Sequence, residues 1–248
     1  MTLSFKIRQW FINIITGFFP ACIIIPHPLL LAQSNDFSIH VNSGLFSFGG
    51  ESAASSSFIL VSDVDSERSY TNNPYGTKNK LAYGFAAQFQ RMTTHNLIFA
   101  IQSAYEVARS EVEIIGVSGE LSEPLEIIAG ETIFENQFLT LHAAAGRRFN
   151  VKNLDIDVMF GPEIGLNTVS HENGEAETES GFLFTTDRER NLHDLDVRLR
   201  SSITVYFDKL GITAGYSYGL TNYSRNLTGA NRERFSRFIR FGIAYRFM

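Results

Sequence analysis

Large apolar residues recur at every second position over most of the chain after residue 35, the period of a strand with one wet and one apolar face. Residues 81–89 place Leu81, Tyr83, Phe85 and Phe89 on one side, with Ala82, Gly84, Ala86 and Gln88 on the other. Residues 97–105 repeat the alternation less cleanly, and the polar residues at 93–95 join the two segments as a hairpin. Six further segments follow the same grammar. The first runs from Phe37 to Val41, and the fourth from Phe138 through Leu139, Leu141, Ala143 and Ala145 to Phe149. The fifth sets Leu154, Ile156, Val158, Phe160, Pro162 and Ile164 against Asp155, Asp157, Met159, Gly161, Glu163 and Gly165. The sixth sets Leu195, Val197, Leu199 and Ile203 against Asp194, Asp196, Arg198 and Arg200. The seventh covers 210–221, and the eighth sets Ile239, Phe241, Ile243, Tyr245 and Phe247 against Arg240, Gly242, Ala244 and Arg246. The pattern predicts an all-β chain of eight strands.

A period of two does not say which face is inside. A soluble barrel would turn its large apolar side chains inward. Here the polar faces mix carboxylates and guanidiniums with Gly, Ala and Ser, which suits a narrow interior, whereas Leu, Phe and Tyr suit lipid. Aromatic residues near strand ends (Phe149, Phe207, Tyr245, Phe247) fit interface girdles. The links agree with this assignment. Those at 93–95, 150–153 and 208–209 are short, and those at 48–79, 110–133, 170–192 and 225–234 are long. Strict alternation of short inner turns and long outer loops marks an outer-membrane barrel, with both termini on the periplasmic side. The expected architecture is an eight-stranded antiparallel up-and-down transmembrane β-barrel, closed between its first and last strands because lipid tolerates no free sheet edge.

The start of the chain changes the compartment. Lys6 and Arg8 precede an apolar stretch from Trp10 to Ile25, and Leu31-Ala32-Gln33 supplies a small residue at a polar boundary. This predicts a secretory signal peptide over residues 1–32 and a barrel domain over 33–248. Asn13, Thr16, Gly17 and the prolines at 26 and 28 argue against an uncleaved anchor. The surroundings of Cys22 match a lipidation signal poorly. Cleavage after Ala32 leaves 19 basic against 26 acidic residues, a formal charge of −7, and removes the one cysteine. Disulfides and thiolate chemistry are thereby excluded, and the acidic balance argues against a nucleic-acid partner. Phosphate loops, zinc-ligand spacings and dinucleotide fingerprints are absent, so no cofactor is expected.

Three short segments carry a resemblance. Phe160-Gly161-Pro162-Glu163-Ile164-Gly165 resembles the G-P-x-x-G strand of PorT-like outer-membrane barrels of the Bacteroidota. Tyr216-Ser217-Tyr218-Gly219-Leu220-Thr221-Asn222 is similar to the same family's Y-S-x-G-L-x-N segment. Phe241-Gly242-Ile243-Ala244-Tyr245-Arg246-Phe247 resembles its closing strand, and also the aromatic-ended signal read by barrel-assembly machinery, displaced one residue by Met248. The resemblance implies membership of a family in which some proteins support export across the outer membrane. It brings no catalytic residues with it.

Several constellations bear on function. Glu163, Asp194, Asp196, Arg198, Arg200 and Arg240 fall on predicted inward faces and are expected to form an ion-pair network in the lumen, since buried charges need partners. Eight strands leave an interior that side chains fill, so a structural network is favoured over a gate, and a wide porin is disfavoured. His193 beside Asp194, with His171 and Asp196 near in sequence, suggests a rim acid–base site, but no nucleophile is fixed by spacing, so no residue is assigned as catalytic. Glu172, Glu175, Glu177 and Glu179 read as a solvated acidic loop, since the order of a calcium loop is missing and no metal ligand is assigned. Val112–Ile115 and Leu125–Ile128 flank a Gly/Ser/Pro stretch, and two readings stand side by side: a hairpin extending beyond the membrane, or a cap over the barrel's own mouth. The expected role is a non-enzymatic envelope scaffold or binding module in contact with outer-membrane lipid and an envelope protein. A narrow channel is the first alternative and a rim enzyme the second.

Overall fold

The computed structural model describes residues 32–62, 69–119, 125–190, 195–224 and 233–247. Of the expected leader, residues 1–31 lie outside this range, as do His193 and Asp194. Eleven strands run through the described residues: β1 (Ala32–Gly49), β2 (Ser56–Val61), β3 (Tyr70–Thr71), β4 (Lys78–Thr93), β5 (Leu97–Gly119), β6 (Ile127–Val151), β7 (Leu154–Thr178), β8 (Leu183–Glu189), β9 (Leu195–Phe207), β10 (Leu210–Gly219) and β11 (Phe235–Phe247). Eight of them form a closed ring in the order β1-β4-β5-β6-β7-β9-β10-β11. Closure is antiparallel, from Phe37 opposite Phe247 to Gly49 opposite Phe235. These are the eight strands anticipated from the alternation.

Outward positions of the ring are apolar and uncovered. Val41, Leu81, Phe85, Phe99, Phe160, Ile203, Ile212, Phe241 and Ile243 are all exposed, with Ile212 at 73% and Val41 at 68%. A belt of this extent on all sides far exceeds the apolar patches that monomeric soluble proteins leave in water. It matches the hydrocarbon-facing band of a membrane barrel, whose closed ring leaves no sheet edge open to lipid. The protein is a transmembrane β-barrel of the outer-membrane type. Phe149, Phe207, Tyr245 and Phe247 are exposed at the turn end of this belt.

The turns at that end are tight, and their residues explain the cost. Lys152 and Asp208, each opening a two-residue link, have φ of 55° and 54°, and Asn96 has φ of 60°. Asn and Asp tolerate this left-handed region; Lys does so at some strain. In β7 the ladder to β6 pairs Phe160 with Ala145 and Glu163 with His142, but skips Gly161 and Pro162. Pro162 has no N–H to donate, so it sits where that ladder is open. Gly161 is required beside it, because a Cβ there would lie 1.9 Å from the Ala143 carbonyl oxygen.

The opposite end departs from a plain barrel. Strands β5, β6 and β7 are 23, 25 and 25 residues long, about twice the 9–11 residues a tilted strand needs to cross a membrane. Beyond the belt their outward residues change to Arg109, Glu111 and Glu113 on β5, Glu131 and Glu135 on β6, and Glu175 and Glu177 on β7. β2 adds to β5 in parallel, β3 adds to β2, and β8 folds back on β7. The resulting outer sheet has its own core of Ile59, Val112, Ile114, Val117 and Ala176. The stretch around 110–133 is therefore a hairpin extension rather than a cap. The stretch expected as a solvated acidic loop is the continuation of β7 with β8. The period of two persists through it: Glu172, Gly174 and Ala176 point inward, while Glu175 and Glu177 point out.

Candidate functional site

Within the ring, the inward residues form three layers. The central one is built on Glu163. Its Oε1 accepts hydrogen bonds from Arg198 Nη1 at 3.2 Å and Arg240 Nη2 at 2.9 Å, and its Oε2 accepts from Arg200 Nη1 at 3.2 Å. Arg198 Nε also donates to Asp196 Oδ2 at 2.7 Å. Arg240 makes a two-pronged contact with Glu106, Nε to Oε1 at 2.6 Å and Nη2 to Oε2 at 2.8 Å. Arg200 reaches Gln102 Oε1 at 2.7 Å and, among the described residues, pairs with no second carboxylate. The three guanidiniums face three carboxylates, so the layer is formally neutral, as a buried network must be. Glu163, Asp196, Arg198, Arg200 and Arg240 thus share one cluster, and Asp194 lies outside the described residues. Glu106 was missed because the strand reading stopped at Tyr105. Carried one position further, the same alternation puts it on the inner face.

On the turn side lies a second charged cluster that the sequence reading did not assemble. Arg148 grips Asp157 with Nε at 2.7 Å and Nη2 at 2.8 Å, and reaches Asp36 at 3.4 Å. Arg246 bonds Asp155 at 2.9 Å and lies over the Tyr206 ring. On the outer side the lumen is filled by rings. Phe46, Phe48, Phe134, Phe138 and Phe238 form a buried cluster with Tyr75 and Tyr223, two residues brought in from outer links. Edge-on contacts knit it: Phe46–Phe238 at 5.6 Å, Phe48–Tyr75 at 5.1 Å and Phe48–Tyr223 at 5.2 Å. The Arg240 guanidinium lies 3.8 Å from the Phe238 ring centre, which joins the aromatic and charged layers.

In the outer extension, Glu172 of β7 is fully buried and ties β7 to β3 and β8. It accepts from the Thr71 N–H at 2.9 Å, Thr186 Oγ1 at 2.7 Å and Arg190 Nε at 2.5 Å, while Thr71 Oγ1 meets Thr132 Oγ1 at 2.8 Å. This is a locking role, distinct from the solvated one expected of the glutamate run. His171 pairs with Asp187 at 2.8 Å across the β7–β8 hairpin. No group of His, Cys, Asp and Glu fit to hold a metal is present among the described residues.

No protein-family model and no curated protein sequence matches this chain. Solved structures give a faint likeness. The attachment invasion locus protein Ail of Yersinia pestis, crystallised with the heparin analogue sucrose octasulfate, is 11% identical, covering 87% of this chain and 100% of its own, with a TM-score of 0.41. Neisserial surface protein A is 12% identical over 85% of this chain and 97% of its own, with a TM-score of 0.38. A major outer membrane protein from Thermus thermophilus is 12% identical over 87% of this chain and 100% of its own, at 0.42. No role passes from these proteins to this chain.

A concavity stands on the outer extension. A cavity of about 350 Å³ lies where β6, β7 and β8 meet, lined by Ala129, Gly130, Ala176 and Leu183, with Glu131, Glu175 and Glu177 around it. The register puts Glu113 opposite Glu131 and Glu131 opposite Glu175, so three carboxylates stand in one row across β5, β6 and β7. Like charges directly opposed destabilise a sheet. Lys78 and Lys80 offset part of this: Lys78 Nζ lies 3.2 Å from Glu113, and Lys80 Nζ contacts Glu111 and lies 3.9 Å from Glu131.

Proposed function

We propose that the protein is a non-enzymatic binding module of the outer membrane, in which the barrel is the anchor and the outer extension of β5–β8 is the working surface. The observation that carries this reading is the extension itself, a sheet with a separate apolar core raised beyond the membrane on the three longest strands. The lumen supports it: from the outer side inward an aromatic layer and then two charged layers occupy the path a solute would take, which speaks against the channel alternative. At the other end the links are only two or three residues long, too little for a partner to grip. We place the protein with the PorT-like barrels on the strength of its Gly161-Pro162 strand, its Tyr216–Asn222 segment and its aromatic closing strand. A contribution to envelope assembly or export, through a protein partner at the outer surface, follows from that placement. Residues 1–32 serve as the export signal, and barrel-assembly machinery inserts the mature chain.

Two measurements test the reading. Crosslinking in intact cells, followed by purification from the outer membrane, is expected to recover a stoichiometric partner joined through β5–β8. In planar bilayers the purified barrel is expected to give no unit conductance steps. Reproducible steps, with no partner recovered, would replace the binding module by a narrow channel.

A further inference from the structure

Apolar residues on the outer extension have no lipid to cover them. Ile128, Phe182 and Leu183 are 61%, 68% and 63% exposed at the far end of β6 and the β7–β8 turn, beyond the belt. The first of these is turned out by a bulge: Ile127 pairs with Thr178 and Ala129 with Glu177, so Ile128 is the extra residue. Beside them opens the cavity of about 350 Å³, with backbone at Gly130 and Ala176 as its floor, Ala129 and Leu183 beside it and three glutamates at its rim. Among the described residues, Glu175 and Glu177 have no ion-pair partner, and Lys80 touches the rim only at 3.9 Å from Glu131. The groove offers apolar side chains at Ala129 and Leu183 and carboxylates where an occupant's charge would project. That complementarity selects the occupant's chemistry.

We propose that this groove docks an extended cationic segment of a partner protein, with a Lys or Arg side chain in the cavity and an apolar neighbour over Leu183. The inference rests on the reading of the protein as an outer-surface binding module. A long cationic side chain fits both parts, since its methylene stem lies over the backbone at Gly130 and Ala176 against Ala129 and Leu183 while its head meets Glu131, Glu175 and Glu177. The strand geometry suits a peptide in which such residues alternate with apolar ones. Docking also relieves the opposed glutamates of β6 and β7, so the same contact that recognises the partner removes a local repulsion.

The test uses the folded barrel in nanodiscs of zwitterionic lipid and a fluorescein-labelled ten-residue peptide of alternating Lys and Leu, read by anisotropy. Saturable one-to-one binding is expected. The triple substitution Glu131→Gln, Glu175→Gln, Glu177→Gln should weaken it about tenfold or more, as loss of a complementary charge set does. Leu183→Ser should weaken it several-fold, and the pair Glu51→Gln, Glu233→Gln elsewhere on the outer surface should leave it unchanged. These are surface positions, and gel mobility of the unheated protein checks that each variant is folded. The proposal is overturned if the triple variant binds like the wild type, or if the control pair loses as much, which would mean diffuse charge. Equal binding of spermine or of a Lys/Ser peptide overturns it too, since the apolar half of the site would then play no part. If the peptide fails while cells yield a partner crosslinked elsewhere on β5–β8, this inference falls and the binding-module reading stands.

Discussion

Glu163→Gln removes one charge from the centre of the barrel while keeping the shape of the side chain. The wild-type layer holds Arg198, Arg200 and Arg240 against Glu106, Glu163 and Asp196; the variant is left with one positive charge in excess. The excess falls on Arg200. Arg198 retains Asp196 and Arg240 retains Glu106, but Arg200 loses the one carboxylate it touches and keeps only Gln102. Breaking a buried pair from one side costs about 3–5 kcal/mol, because the remaining charge is stranded. That is a factor of roughly 100 to 4,000 in the unfolding equilibrium, at about 1.4 kcal/mol per tenfold. Adding Arg200→Gln restores neutrality, so the double variant should lose about 2 kcal/mol less than the sum of the two single losses, a coupling within the range for residues in one network. Trp10 precedes the barrel and is the one tryptophan of the chain, so fluorescence of that residue will not report on the fold. Urea unfolding in detergent followed by far-UV circular dichroism, with gel mobility of unheated samples as a second probe, gives the four corners of the cycle. The reasoning is refuted if Glu163→Gln unfolds within about 1 kcal/mol of the wild type, or if the double variant loses the full sum of the single losses.

Further expectations follow from other features. Gly161→Ala should cost about 1–3 kcal/mol by forcing β6 away, since its new Cβ would overlap the Ala143 carbonyl and backbone does not yield cheaply; equal stability of the variant in the same urea assay counts against the close approach. Lys152→Gly should raise stability by up to about 1 kcal/mol, because glycine accepts the φ of 55° without strain; a fall in stability would mean that the Lys side chain has an unrecognised partner. Glu111 lies in the outer extension, where partial burial pushes its carboxyl up but the Lys80 and Lys78 ammoniums outweigh this and hold it below its ordinary 4.5. Its contribution to the extension is thus present above pH 4.5 and is lost as pH falls through the lowered value. A carbon-detected titration should place the Glu111 midpoint below 4.5, and a midpoint at or above it would show that the lysines do not reach.

The ring was legible because lipid and lumen impose opposite demands on alternate residues, and Leu154–Gly165 or Ile239–Phe247 cannot satisfy both in any other register. Short turns were legible for the same reason: the alternation stops at Lys152-Asn153 and restarts with its parity reversed, Val151 and Leu154 standing opposite on the outer face. The extension was harder to read, since above the membrane both faces meet protein or water and the contrast fades. On β7, Glu172 and Glu175 are the same residue type, yet one is buried under Arg190 and the other is bare. Only the phase inherited from Asp157 and Glu163, allowing for the irregularity where Gln137 and Phe138 skip a partner, separates them. The Arg148 cluster escaped notice because its members come from β1, β6, β7 and β11, and nothing in a single strand announces such a meeting. β2 and β3 were unforeseen because each is short and paired outside the ring.

The parallel seating of β2 on β5 sets an order of assembly. β2 lies between β1 and β4 in the chain, but its partner residues, Glu113 to Gly119, come after both. The early external segment therefore has nothing to join until a later strand has crossed the membrane and stood up beyond it. Glu172 then fastens Thr71 from a point 101 residues further along. Chain order thus makes closure of the extension dependent on prior placement of β5 and β7. An intermediate that is already anchored but still open above the bilayer should exist, and brief exposure of whole cells to protease during synthesis should cut it while sparing the finished form.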